Sequence, residues 1–277
     1  MDSNTRRTPP LLQDPMSTVY VPSESIRRLA VIDVMNFLHN SASKSTRGQR
    51  KPPEDTRDYL DALDLGAFLY MFIQRGFDVR AIVPNSVRRR AKNSYLFDLF
   101  FAMGLVVYTE KCYDDLVVLN YAAQRGGFVI SCDKFRDCLE MDISHAAKYV
   151  IKNRVIRPEL RLHKHDPSQP FTLTSFGDRV INFIAKLHAE CHNIIYSDPT
   201  SQDFEICVKH RRKFNYTRSV EVRRELDDIF QFVPRLIPLA DESRIKEIAR
   251  YKNEVVDRWG APTYLKAIDE VDMRPSE

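Results

Sequence analysis

No two of the five cysteines, at positions 112, 132, 138, 191 and 207, form a CxxC pair, and their spacing builds no regular framework. A disulfide-scaffolded mini-domain is therefore excluded. The odd count sets up an expectation of free thiols in a reducing compartment. The first residues, MDSNTRRTPP, contain no apolar core, so neither a secretory signal nor a membrane anchor is expected there. The longest apolar run, around Leu65 to Ile73, is far shorter than the roughly 20 residues that span a bilayer. No G-x-G-x-x-G motif follows the first candidate strand, which removes a dinucleotide-binding reading. A phosphatase with an aspartyl nucleophile would want a second acid two residues after Asp33, and Met35 stands there. His188, Cys191 and His192 fall on helical spacing, but no fourth ligand completes a tetrahedral zinc site, so a structural role is expected. There is no internal repeat and no low-complexity tract. The expectation is a soluble, cytoplasmic protein without membrane contact.

The 277 residues suffice for a large buried core. A net charge of +4 and a pI near 8.7 are compatible with a polyanion partner. Residues 1–25 are rich in Pro, Ser, Thr and Arg and lack periodicity, which predicts a disordered tail. The run from Leu29 to Ile32 predicts a first strand that delivers Asp33 to its tip, with Asn36 three residues later. Residues 40 to 57 read as an exposed basic loop. A helix is expected from Thr56 to Gln74, a strand from Val79 to Val83, a helix from Tyr95 to Met103, and a strand from Leu105 to Tyr108. This alternation predicts a parallel sheet with right-handed crossovers.

The stretch from Lys111 to Asp137, KCYDDLVVLNYAAQRGGFVISCDKFRD, organises the rest. Helical periodicity after Asp114-Asp115 breaks at Gly126-Gly127. Phe128 to Ile130 then read as a short buried strand, with Asp133 just past its carboxyl end and Asp137 four residues on. A helix is expected from Arg136 to Lys152. Val155-Ile156 and Phe171 to Leu173 are candidate strands, Val180 to His192 a helix, and Phe204 to Val208 a further strand. The basic run Lys209 to Lys213 reads as a surface loop. Helices over Ser219 to Phe232 and Asp241 to Trp259 close the chain.

Ligands of open α/β sheets bind at the carboxyl ends of the strands. Carboxylates gathered there repel one another unless protons, basic neighbours or a divalent cation intervene. Asp33, Asp114, Asp115, Asp133 and Asp137, with no accompanying His or Cys cluster, form a hard oxygen set that suits Mg²⁺ or Mn²⁺. Taken singly, Asp114 and Asp133 would serve equally well as helix caps. The basic run Arg88, Arg89, Arg90 and Lys92, beyond the tip of the second strand, is placed to hold a phosphate backbone. It would serve equally well as a solvated helix start.

VIDVMN, FIQRGFDVRAIVP, CYDD and SCDKFRD resemble the signatures of the Regnase (MCPIP) type of NYN, PIN-like nuclease, whose pattern is VIDGSN, KRGH..TAFVP, CYDD and SNDNYRD. The resemblance runs over about residues 28 to 160, in the same order and with similar spacing. It implies a PIN-like α/β domain with a central parallel sheet flanked by helices, at 26–160, followed by a mixed α/β extension at 161–277. It also implies cleavage of single-stranded RNA dependent on one or two Mg²⁺ or Mn²⁺ ions. Asp33, Asp114, Asp115 and Asp133 carry over as catalytic, metal-binding carboxylates, with Asn36 and Asp137 in support.

Three departures matter. Val34-Met35 replace the family's Gly-Ser, and only Thr109 to Lys111 precede CYDD, where the family has a longer, Arg-rich segment. No C-x₈-C-x₅-C-x₃-H zinc finger is present. The last feature resembles the nematode branch that acts in RNA interference, and implies recruitment of messenger RNA by basic loops or by protein partners of an RNA-silencing complex, with homo- or heterodimers among the arrangements. The alternative is a catalytically silent subunit that binds RNA or dimerises in such a complex.

Overall fold

The computed structural model describes residues 24–45, 60–109, 114–158, 187, 191–212 and 216–260. In chain order the elements are β1 (Ile26–Arg27), β2 (Ala30–Asp33), α1 (Val34–Ser45), α2 (Ala62–Gln74), β3 (Val79–Pro84), α3 (Asn85–Arg90), α4 (Tyr95–Ala102) and β4 (Val106–Thr109). Then come α5 (Asp114–Gln124), β5 (Phe128–Ile130), α6 (Arg136–Glu140), α7 (His145–Asn153), β6 (Val155–Ile156), α8 (His192–Ile195), β7 (Tyr196–Ser197), α9 (Phe204–Arg212), α10 (Tyr216–Leu236) and α11 (Asp241–Trp259).

Five strands form one parallel sheet in the order β4-β3-β2-β5-β6. Both faces are covered, which is why the strands read as near-continuous apolar runs rather than alternating ones. Ala30, Ile32, Ala81, Val83, Phe128 and Ile130 point to the larger core, shared with α2, α4, α10 and α11. Leu29, Val31, Ile82 and Val129 point the other way, to a smaller core under α5 and α7. The fold is therefore α/β with a parallel sheet between helical layers, as the alternation predicted.

The C-terminal elements complete this body. Val222, Leu226, Ile229, Phe232, Tyr251 and Val255 join the larger core, and β7 pairs antiparallel with β1. Glu225 on α10 accepts from Tyr251 Oη at 3.2 Å and Trp259 Nε1 at 3.0 Å and pairs with Arg258, closing the α10–α11 hairpin. No helix among the described residues is long and apolar enough to cross a membrane.

Several local expectations change. Helix α2 starts at Ala62 rather than Thr56, because Asp61 is extended (φ −114°, ψ 120°), caps Leu63 N–H at 3.0 Å and bridges Lys92. The expected loop from residue 40 is helical as far as Ser45. The single helix Arg136–Lys152 is two, since Met141 turns extended and Ser144 caps a new start by accepting Ala147 N–H at 3.2 Å. The strand expected at Phe204–Val208 is helix α9. Its buried Cys207 seats against Gly126, whose φ of +63° suits glycine, and an added Cβ there would collide with the Cys207 thiol. The loop expected at Lys209–Lys213 is the end of α9 as far as Arg212. The tail at 1–23, the strand at Phe171–Leu173 and most of the helix at Val180–His192 lie outside the described residues.

Candidate active site

Strand register assembles the site. Ile32 pairs with Ile130, so the next residue of each strand, Asp33 and Ser131, meet at the carboxyl edge. Ser131 Oγ donates to Asp33 Oδ2 at 2.7 Å and accepts the Asp133 backbone N–H at 3.0 Å. Asn36 N–H donates to Asp33 Oδ1 at 3.1 Å, so Asp33 also caps α1, the role a lone strand-end aspartate would have. Asn36 Oδ1 accepts the Cys132 N–H at 2.8 Å and ties the tips of β2 and β5 together.

Past β5 the chain turns sharply. Asp133 Oδ1 accepts the Phe135 N–H at 2.7 Å, and Phe135 itself adopts the left-handed conformation (φ 50°, ψ 36°). Such a backbone is uncommon for a bulky residue. Burial of the Phe135 ring in the smaller core holds it. Asp133 thus shapes this turn and does not cap α6 directly, since Phe135 occupies the cap position.

Burial raises the Asp33 carboxyl to about 7; the Ser131 and Asn36 hydrogen bonds oppose the rise, and Asp115 and Asp114 reinforce it. Burial likewise raises Asp115 to about 6, with Asp114, Asp133 and Asp137 adding to it. Asp115, at the start of α5, links the set: with Asp114 it acts on Asp33 of β2, and it is acted on in turn by Asp133 of the β5–α6 turn and Asp137 of α6. An open cleft of about 390 Å³ adjoins them, lined by Asn36, Asp115, Asp133, Asp137, Lys134 and Arg136 among others. Asp33 and Asp114 are not on its walls. Cys112 and Tyr113 of the CYDD motif lie outside the described residues.

The basic run sits on the same edge of the sheet, in and just after α3. Arg88 is engaged within the protein: its guanidinium pairs with Asp98 at 2.7 Å and lies 4.6 Å over the Tyr108 ring. Asp98 also binds Tyr108 Oη at 2.8 Å and Lys252 of α11 at 2.6 Å. Arg89, Arg90 and Lys92 are exposed. His192 stacks on Tyr196 with ring centroids 4.7 Å apart, a packing role.

Residues 26–171 match the family described as the Zc3h12a-like ribonuclease NYN domain, more than half of the 277 residues. The chain belongs to this family. No curated protein matches it. It carries a ribonuclease domain of the Regnase-type NYN family, and the strand tips described above are where that domain gathers its acids.

PIN-like nucleases typically use divalent metals. Among the described residues no group of three His, Cys, Asp or Glu side chains stands close enough to enclose an ion. The closed cage suggested by four converging ligands is therefore not present. The donor chemistry still fits a hard cation: the acids are all oxygen donors, and Asp33 and Asp115, raised by burial and by nearby acids, would be relieved by a bound ion. Mg²⁺ in particular keeps several waters and needs only one or two direct carboxylates. An open, carboxylate-walled cleft meets that requirement.

Ser131 was not singled out by sequence reasoning. Its signal is a hydroxyl residue directly after a buried strand and two residues before an acid, and its meaning depends on the register with β2.

Proposed function

We propose that the protein is a Mg²⁺- or Mn²⁺-dependent endoribonuclease that cuts single-stranded RNA at the carboxyl edge of its sheet. The observation that carries this reading is a pair of carboxyls, Asp33 and Asp115, raised by burial and then by neighbouring acids (Asp114 and Asp115 acting on Asp33; Asp114, Asp133 and Asp137 acting on Asp115) beside an open cleft. In a protein selected for stability alone, such repulsion would be removed by basic partners. Asp33, Asp114, Asp115 and Asp133 would hold one or two ions, with Asp137 on the outer side. When bound, the metal supplies Lewis-acid stabilisation of the phosphodiester and a water of lowered pKa.

The residues around it have definable work. Ser131 and the Asn36 amide fix both oxygens of Asp33, so the acid presents its remaining lone pairs in one orientation. Asn36 ties the β2 and β5 tips together and the Phe135 turn fixes Asp133, and between them they set the spacing of Asp33 and Asp133. Arg89, Arg90 and Lys92 offer charge for the RNA backbone further along the same edge. The likeness to the nematode branch supports a role in RNA interference or messenger RNA decay, with recruitment through protein partners in the cytoplasm, perinuclear RNA granules included.

The test is cleavage of labelled single-stranded RNA by wild type and by the Asp114→Asn/Asp115→Asn variant in Mg²⁺ and in Mn²⁺. The variant should keep its far-UV CD spectrum and lose cleavage. Equal cleavage by both proteins would overturn the mechanism. A wild type that cuts no RNA in either metal would establish the rival reading, a silent RNA-binding or dimerising subunit.

A further inference from the structure

We infer that Lys134 and Arg136 form a phosphate grip that holds the RNA backbone inside the acidic cleft, beside the carboxylates, where the outer basic run does not reach. The inference rests on the nuclease reading above and deepens it. Both residues line the same cleft as Asp115, Asp133 and Asp137, and both are exposed. Among the described residues neither side chain has an ion-pair or hydrogen-bond partner, although each is the chain neighbour of an aspartate. A lysine and an arginine this near a carboxylate cluster would ordinarily neutralise it by direct pairing.

The backbone explains why they do not. The left-handed Phe135, pinned by its N–H to Asp133 Oδ1 at 2.7 Å and by its buried ring, separates the two cations and leaves both on the cleft wall. Strain of this kind persists where the surrounding structure enforces it. Arg88 behaves in the opposite way. Asp98 and the Tyr108 ring already satisfy it, so the outer run has less free charge to offer than its sequence implies.

A substrate phosphodiester entering a cleft of net negative charge would be repelled unless cations stand at the same wall. Lys134 contributes a compact point charge and Arg136 a planar fork that meets two phosphate oxygens at once. The grip therefore admits a polyanion to an acidic site without cancelling the acids.

The experiment compares wild type, Lys134→Gln/Arg136→Gln and Arg89→Gln/Arg90→Gln, all as full-length protein. Binding of single-stranded RNAs of about 4 and about 20 nucleotides is measured in EDTA across a salt series. Loss of two phosphate contacts should lower the salt slope of log K by about 1.4 on single strands. The cleft variant should show this loss on both RNAs, the outer variant on the long RNA alone. In cleavage assays the cleft variant should raise KM roughly tenfold or more, with kcat changed far less. Lys134→Arg/Arg136→Lys should restore the slope.

An unchanged slope and unchanged KM in the Gln variant, with its melting curve intact, would overturn the grip while leaving the nuclease reading standing. A wild type that binds with the expected slope dependence but never cuts would overturn the nuclease reading and leave the grip. A short RNA that binds wild type and cleft variant alike would also overturn it.

Discussion

Asp78 and Asp203, at the amino ends of the strands, sit among arginines; Asp33 and Asp115, at the carboxyl ends, sit among other acids. Arg28 and Arg154, each just before a strand, both pair with Asp203. Arg80 and His210 pair with Asp78 at 2.5 and 2.8 Å. Burial alone would raise Asp78, but the Arg80 guanidinium and His210 hold its carboxyl down to about 2. Asp203 is lowered in the same sense by Arg28 and Arg154. At the opposite edge burial and like charge act together, and Asp33 rises to about 7. The two ends use the same functional group for opposite purposes. One set of carboxylates staples α9 to the sheet, and the other keeps unfavourable energy that a cation would relieve.

The sharpest way to break this comparison is to remove an acid from each end. Asp203→Ala leaves two buried guanidinium groups without their anion and should cost about 3–5 kcal/mol, read as a large fall in the urea midpoint. Asp33→Asn removes a carboxylate from a repulsive site. Its unfolding midpoint should stay within about 1 kcal/mol of wild type or rise, while RNA cleavage disappears. A strongly destabilised Asp33→Asn would mean that the carboxyl edge is structural after all.

Gly126→Ala comes next. It forces a Cβ onto a left-handed backbone and into the Cys207 thiol, and should destabilise by about 2 kcal/mol or more. If thermal melting shows no loss, the α9 seat is more yielding than its packing indicates.

A smaller effect concerns acid. Asp78 falls from 3.8 to about 2 on folding, so the stability it contributes is present above pH 4 and is lost as pH drops toward 2. Asp78→Asn should start less stable at neutral pH and lose less between pH 4 and pH 2 than wild type. Parallel pH–stability curves for the two proteins would contradict this. The smallest change is expected from Ser131→Ala. Its hydroxyl orients one carboxylate oxygen, so cleavage should fall about tenfold with about 1 kcal/mol of stability lost. Ser131→Thr should recover most of the rate if hydrogen-bonding and not bulk is what matters.

Much of this layout was legible in one dimension. The apolar run Leu29–Ile32, the strand at Val79–Val83, the helix–Gly-Gly–strand unit after Asp114, and the helix Asp241–Trp259 all follow from period and breaker residues. Misread segments share a cause. Phe204–Val208 alternates as a strand would, but Asp203 reaches Arg28 and Arg154, and Cys207 packs on Gly126, contacts made across most of the chain. Lys209–Arg212 looked like solvated surface because the partner of His210 is Asp78, 132 residues away. The break at Ser144 carried a readable signal, a serine three residues before Ala147, overridden by the continuing apolar period.

By itself the sequence determined the element types of the sheet and its crossover helices, the parallel α/β class, the family, and which acids stand at strand tips, because these depend on local periodicity and short ordered motifs. Only the tertiary structure decided which charges are paired and which, among the described residues, are left unpaired. Register places Ser131 beside Asp33, the Phe135 turn keeps Lys134 and Arg136 apart from their neighbouring aspartates, and Asp98 claims Arg88. Each outcome depends on distance and burial between residues remote in sequence, and electrostatic energy depends on those two quantities rather than on the order of residues along the chain.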